Sequence, residues 1–60
     1  MTTFLMLEAG QRFHFPPTNE EFLKLDGNRA FCLSSCDELP DENSVVEFVG
    51  GDENASVVVR

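Results

Sequence analysis

The sequence predicts a mostly β fold: a small curled antiparallel sheet or open SH3-like barrel of about five short strands. Short segments rich in Phe, Val and Leu alternate with turn-forming Gly, Pro, Asn and Asp. No stretch has the length and period of a convincing helix. Because the chain has 60 residues, we assign residues 1–60 to a single domain.

In the first half of the chain, residues 12–15 predict a strand, and the apolar residues before them allow two alternatives. Residues 3–7 are apolar and form either an opening strand or a helical turn. Residues 12–15 alternate polar and aromatic side chains, which predicts Phe13 and Phe15 inward and an exposed His14 outward. Two prolines then end the strand, because proline has no N–H for the ladder.

The clearest local signal is a β-hairpin. Residues 21–25 and 29–33 flank Asp26-Gly27-Asn28, whose dipeptides favour tight turns because their residues tolerate positive φ. Alternation places Phe22 and Lys24 on one face of the first strand, opposite to Leu23. Both faces of this strand are therefore expected to be partly covered.

The second half of the chain predicts an acidic loop and two Val-rich strands. Residues 34–43 are polar and acidic, with Leu39 as the one apolar anchor, and residues 45–49 are β-branched. Residues 50–54 can turn the chain so that residues 55–59 pair back on the preceding strand. A frayed tail over residues 50–60 is the alternative.

A run of residues between positions 7 and 49 resembles short bacterial and bacteriophage proteins that have no known activity. The run contains Gly10, two residues, Phe13-His14-Phe15-Pro16, then Thr18-Asn19-Glu20 and Phe22-Leu23-Lys24. The resemblance implies a small β domain and carries no functional residue with it. The acidic residues 34–43 and the residues after Val49 depart from that pattern.

The net charge of −7, from eleven acidic and four basic residues, limits the partners. It disfavours direct binding to nucleic acid and to anionic membranes, and it favours a basic protein partner. The alternative is that acidity only confers solubility. The apolar residues 4–7 are too few to span a bilayer and lack the features of a signal peptide. We therefore expect a cytoplasmic location, in a bacterial cell or an infected host.

No enzyme, metal or cofactor site is predicted. Cys32 and Cys36 are one residue too far apart for a redox C-x-x-C motif. With His14 they make three conventional zinc ligands, so Asp37 would have to complete the site. The favoured interpretation is a reduced Cys32 buried as a small apolar side chain, with Cys36 in the loop.

The sequence favours a non-enzymatic protein-interaction module, such as an accessory or inhibitory protein of phage type. The alternatives are a structural homo-oligomer and an acidic mimic of nucleic acid that blocks a DNA-binding protein. Clustered carboxylates in two turn segments are the predicted protein-binding surface, although they could equally be solvated groups that prevent aggregation. These residues are Asp37, Glu38, Asp41, Glu42, Asp52 and Glu53.

Overall fold

The computed structural model describes residues 1–34 and 44–60. These residues form one open antiparallel sheet and contain no α-helix, which confirms the predicted mostly β fold of five short strands. The strand order is β4-β3-β2-β1-β5. The strands are β1 (Arg12–Phe15), β2 (Glu20–Lys24), β3 (Arg29–Cys32), β4 (Val45–Glu47) and β5 (Val58–Val59), with an N-terminal 3₁₀ helix at Phe4–Met6 and a C-terminal 3₁₀ helix at Asp52–Asn54.

The predicted alternation in β1 decides which face of the sheet is buried. Phe13 and Phe15 are buried, as predicted. Phe13 lies opposite Phe22 of β2, which in turn lies opposite Cys32 of β3. Residues opposite each other share a face, so this row of apolar side chains forms the floor of a single core on one face of the sheet.

The N-terminal segment is a 3₁₀ helix, so the helical-turn alternative is the correct one. The Leu7 N–H donates to the Phe4 carbonyl at 3.1 Å. This turn directs Phe4 and Leu7 into the core and leaves Leu5 and Met6 exposed. An isolated bridge between Thr3 and Ser56 holds the segment against the C-terminal part of the chain.

Phe48 lies at the centre of the core. Its ring stacks on Phe4, with centroids 4.4 Å apart and planes 5° from parallel. It meets the rings of Phe13, Phe15 and Phe22 edge-on, at centroid distances of 5.6, 5.0 and 5.2 Å. Such aromatic pairs contribute about 0.5–1.5 kcal/mol each beyond the area they bury. The core of this small domain is therefore organised around phenylalanine.

Lys24 is buried on the core face of β2, where alternation placed it together with Phe22. Its Nζ donates to the carbonyls of Phe4 and Leu7, each at 2.8 Å, and lies 4.5 Å from the centroid of the Phe4 ring. A buried charge is tolerated when hydrogen bonds replace its hydration. The lysine thus caps the carbonyl end of the N-terminal 3₁₀ helix and fixes it to the sheet.

The predicted hairpin between β2 and β3 is present, but its turn differs from the prediction. Gly27 and Asn28 lie outside the positive-φ region. Instead, Asp26 Oδ1 accepts hydrogen bonds from the backbone N–H groups of Asn28 and Arg29 at 3.4 and 3.2 Å. The aspartate side chain therefore closes the turn without a left-handed backbone conformation, because it accepts hydrogen bonds from the peptide N–H groups that follow it.

The predicted pairing of the last strand is wrong. β5 covers only Val58–Val59 and pairs with β1, at the opposite edge of the sheet from β4. Gly50 and Gly51 have φ of 70° and 110° and redirect the chain into the C-terminal 3₁₀ helix. The chain then reaches the free edge of β1, where Val57 is buried. Burial of Val57 against the Phe core at this edge explains the pairing.

Candidate functional site

The outer face of the sheet, opposite to the Phe core, has an apolar part and a charged part. Across the strands Val45, Phe31, Leu23 and Arg12 form one row of opposed residues. Phe31 is only 5% exposed, although it does not belong to the Phe core cluster. Along this row the apolar side chains belong to β4, β3 and β2, and the charged side chain belongs to β1.

The charged part contains a shallow, open cleft of about 420 Å³. β1 supplies one guanidinium, β2 one carboxylate, and the residues after β3 and β5 complete the lining. Register brings these positions together, since Arg60 donates its backbone N–H to the Arg12 carbonyl at 3.0 Å. The lining residues are Arg12, Glu21, Leu33, Ser34 and Arg60.

Glu21 is the centre of a polar network in this cleft. Arg60 Nε donates to Glu21 Oε1 at 3.1 Å, and His14 Nδ1 donates to Glu21 Oε2. The pKa of Glu21 is lowered below its usual value. The hydrogen bond from Arg60 is the main cause, and the hydrogen bond from His14 is the second cause. Glu21 is thus held as an anion between two donors, as expected for a carboxylate beside a guanidinium.

The prediction of an exposed His14 is wrong. Its side chain faces outward from β1, as predicted, but is only 17% exposed. Glu21 lies directly opposite His14 in the β1–β2 ladder, which explains the hydrogen bond between them. His14 therefore supports the carboxylate at this position and is not a free surface imidazole.

Arg12 differs from the other basic residues of the described chain. Lys24 is bonded to two carbonyls, Arg29 pairs with Asp26, and Arg60 pairs with Glu21. Within residues 1–34 and 44–60, the guanidinium of Arg12 has neither a hydrogen bond nor an ion pair. None of its five N–H donors is used by a residue in these two ranges.

The edge of the sheet at β4 is a second candidate site. Phe48 donates its N–H to the Asn28 carbonyl at 2.7 Å, which continues the β3–β4 ladder. Hydrogen-bonded pairs alternate along an antiparallel ladder, so Val46 directs its backbone groups toward β3. Val45 and Glu47 direct theirs to the other side, where an extended chain could bond to them.

The opposite edge, at β5, is partly covered by the N-terminal segment. Val57 donates its N–H to the Thr2 carbonyl at 2.8 Å, and Thr3 forms a bridge with Ser56. These contacts use the outward groups of the chain just before β5. Among the described residues, β4 is therefore the more accessible edge.

Only two of the six predicted protein-binding residues lie in the described part of the chain. Asp52 is exposed at the start of the C-terminal 3₁₀ helix. Glu53 accepts a hydrogen bond from the backbone of Gly51 at 2.6 Å, so its carboxylate stabilises its own turn. The other four, like Cys36 and Leu39, lie outside the described residues. They are Asp37, Glu38, Asp41 and Glu42.

Cys32 is buried in the core, as predicted. Its thiol donates to Glu20 Oε2 at 3.2 Å. The described residues contain no group of three or more His, Cys, Asp or Glu side chains that could hold a metal ion. In the same part of the chain no helix is long and apolar enough to cross a membrane.

The charged cleft was missed by the sequence reasoning because its parts are far apart in the chain. The alternation in β1 and β2 could have placed Arg12 and Glu21 on one face, since a short turn joins these two strands. No sequence pattern predicts that Arg60 lies in the cleft, because only a two-residue strand brings it beside β1. The register of that strand cannot be read from a run of three valines.

Comparison of the chain with protein-family models, with curated protein sequences and with solved structures finds no match. The resemblance to short bacterial and bacteriophage proteins stays a prediction.

Proposed function

We propose that the protein is a non-enzymatic interaction module that binds an extended segment of a partner protein along β4. The observation that carries this proposal is the orientation of Val45 and Glu47, whose backbone N–H and C=O groups point away from β3. An unpaired strand edge is a template for a further strand, and backbone hydrogen bonds supply the affinity.

The side chains along this edge suit strand addition. Val46 and Val49 are 39% and 49% exposed, so an added strand would cover apolar surface as well as form hydrogen bonds. Glu47 is exposed beside them. A β-branched segment with basic residues complements this surface.

The charge of the molecule favours a basic partner over a second copy. Each copy carries a net charge of −7, so two copies repel each other at the distance of a strand pair. Asp41 and Glu42 precede β4 in the sequence and add to the acidity of this part of the chain. A basic segment gains association rate from the same field.

Glu47→Pro tests strand addition, with Glu47→Gln as the matched control. Both variants lose the charge, but only proline loses the outward N–H, and proline is tolerated at an edge position of this kind. NMR spectra first establish that both variants keep the native sheet. Proteins captured from a lysate by the immobilised chain are then compared among the wild type and the two variants.

The proposal expects a stoichiometric partner that is retained by the wild type and by Glu47→Gln and is lost with Glu47→Pro. It also expects slower hydrogen exchange of the Val45 and Glu47 amides in the complex. A partner that binds Glu47→Pro as well as Glu47→Gln contradicts strand addition at β4. Light scattering that shows a wild-type dimer and a Glu47→Pro monomer assigns the edge to a second copy instead.

A further inference from the structure

The basic side chains of this acidic protein are distributed unevenly. Four of the 60 residues are Lys or Arg. One is buried in the core and one closes the β2–β3 turn with Asp26. The remaining two, Arg12 and Arg60, both line the cleft on the outer face. The cleft therefore combines half of the Lys and Arg side chains of the protein with a single acidic side chain.

Arg12 and Arg60 are also neighbours across the sheet. The backbone hydrogen bond between them places them opposite each other beyond the last pair of the β1–β5 ladder. Like charges in opposed positions destabilise a sheet. Glu21 compensates only Arg60, through bonds at 3.1 and 3.5 Å. The positive charge of Arg12 remains uncompensated among the described residues.

Ser34 and Leu33 add a hydrogen-bond donor and an apolar surface to the cleft. The Ser34 hydroxyl oxygen accepts a hydrogen bond from the Glu21 backbone N–H at 2.9 Å, so its own hydrogen is not used in that bond. Leu33 supplies an apolar side beside it and is half-buried. A guanidinium fork, a hydroxyl donor and an apolar wall together suit an oxyanion attached to a carbon chain.

We propose that this cleft binds a carboxylate group of a peptide, held by the guanidinium of Arg12 and assisted by Arg60 and the Ser34 hydroxyl. A carboxylate fits better than a phosphate, because Glu21 repels a dianion more strongly than a monoanion. The carboxylate comes either from an acidic side chain or from a chain terminus. The proposal is independent of strand addition at β4, because the two sites use different residues.

The test is an NMR titration of the isotopically labelled full chain with three small probes. N-acetylglycine represents a chain terminus, N-acetylglutamic acid α-amide represents a side chain, and inorganic phosphate is the competing anion. Ionic strength is held constant at about 0.15 M, where general screening no longer changes during the titration. The Nε–H signals of Arg12 and Arg60 and the backbone amide of Ser34 report on the cleft.

We expect saturable shifts of these signals with at least one of the two carboxylates, at millimolar concentration, and at least tenfold weaker binding in Arg12→Gln. Arg12→Lys keeps the charge but loses the planar fork, so it binds more weakly than the wild type. Arg29→Gln is the matched control, because it removes an equal charge from a guanidinium already paired with Asp26.

Which carboxylate saturates the signals identifies the source of the group, and either result supports the proposal. Three results overturn it: shifts that do not saturate, an equal loss of affinity in Arg12→Gln and Arg29→Gln, or phosphate binding more tightly than both carboxylates. Because the probes contain no extended segment, a failure of strand addition at β4 leaves this test unaffected.

Discussion

Lys24 shows how one residue joins two parts of the fold. Its ammonium group lies in the core and is hydrogen-bonded to the carbonyls of Phe4 and Leu7. Without the ammonium group the Leu7 carbonyl would lose this donor inside the core, and the Phe4 carbonyl would keep only the Leu7 N–H. Burying an unpartnered carbonyl costs free energy. The position therefore depends on the donor group and not only on the length of the side chain.

Lys24→Met removes the donor and keeps an unbranched side chain of similar length. We expect the free energy of unfolding to fall by about 1–3 kcal/mol, because the Leu7 carbonyl loses its donor and the Phe4 carbonyl loses one of two. Urea denaturation measures the change, and Arg12→Met is the control, since it removes a charge from an exposed position of the same sheet. A Lys24→Met protein as stable as the wild type would show that the carbonyls find other partners.

At the scale of elements, the Gly50-Gly51 turn determines where the C-terminal part of the chain goes. Gly51 has φ of 110° and precedes the C-terminal 3₁₀ helix. A Cβ at this position would have no atom within 4 Å, so any cost of a side chain there comes from the backbone alone. Only glycine adopts such a φ without strain.

Gly51→Ala is therefore expected to destabilise the protein by about 1–2 kcal/mol. Gly27→Ala is the matched control, since its Cβ also has no neighbour within 4 Å and its φ is outside the left-handed region. Gly27→Ala should be neutral or stabilise the protein by about 0.4–1 kcal/mol. Thermal unfolding of the two variants measures both effects. Equal destabilisation would mean that backbone strain at Gly51 is not the cause.

The elements also show which features of the fold could be predicted from the sequence. Alternation in β1 predicted the buried Phe13 and Phe15, because period two allows one assignment once a single face is apolar. The hairpin was predicted from its turn residues, although Asp26 closes it through its side chain. β5 was misplaced, because Val57 could cover either edge of a sheet and only the completed core favours β1.

At the scale of the whole molecule, the Glu21–Arg60 pair connects β2 to a residue 39 positions later in the chain. Hydrogen bonds from Arg60 and then His14 lower the pKa of Glu21 below its usual value of 4.5. A carboxyl group whose pKa is lower in the folded state stabilises that state above the unfolded pKa. This contribution is lost as the pH falls through the folded value.

Glu21→Gln should therefore be less stable than the wild type above about pH 4.5, and the difference should shrink as the pH falls below that value. Glu8→Gln has the same net charge and is the control, because its exposed side chain lies outside this network. Urea midpoints between about pH 3 and 7 measure the difference. A constant difference at all pH values would show that Glu21 contributes by packing and not by its charge.

The pairing of β5 with β1 also has a consequence for the protein during its synthesis. β1, β2 and β3 follow one another closely, but the strand that covers the outer edge of β1 is made only when residues 55–59 are translated. Until residues 55–59 join the sheet, the edge of β1 that faces away from β2 is unpaired and the core lacks Val57. Another copy of the chain can pair at that edge in the meantime, so a chain in which β5 has not yet docked is open to aggregation at β1.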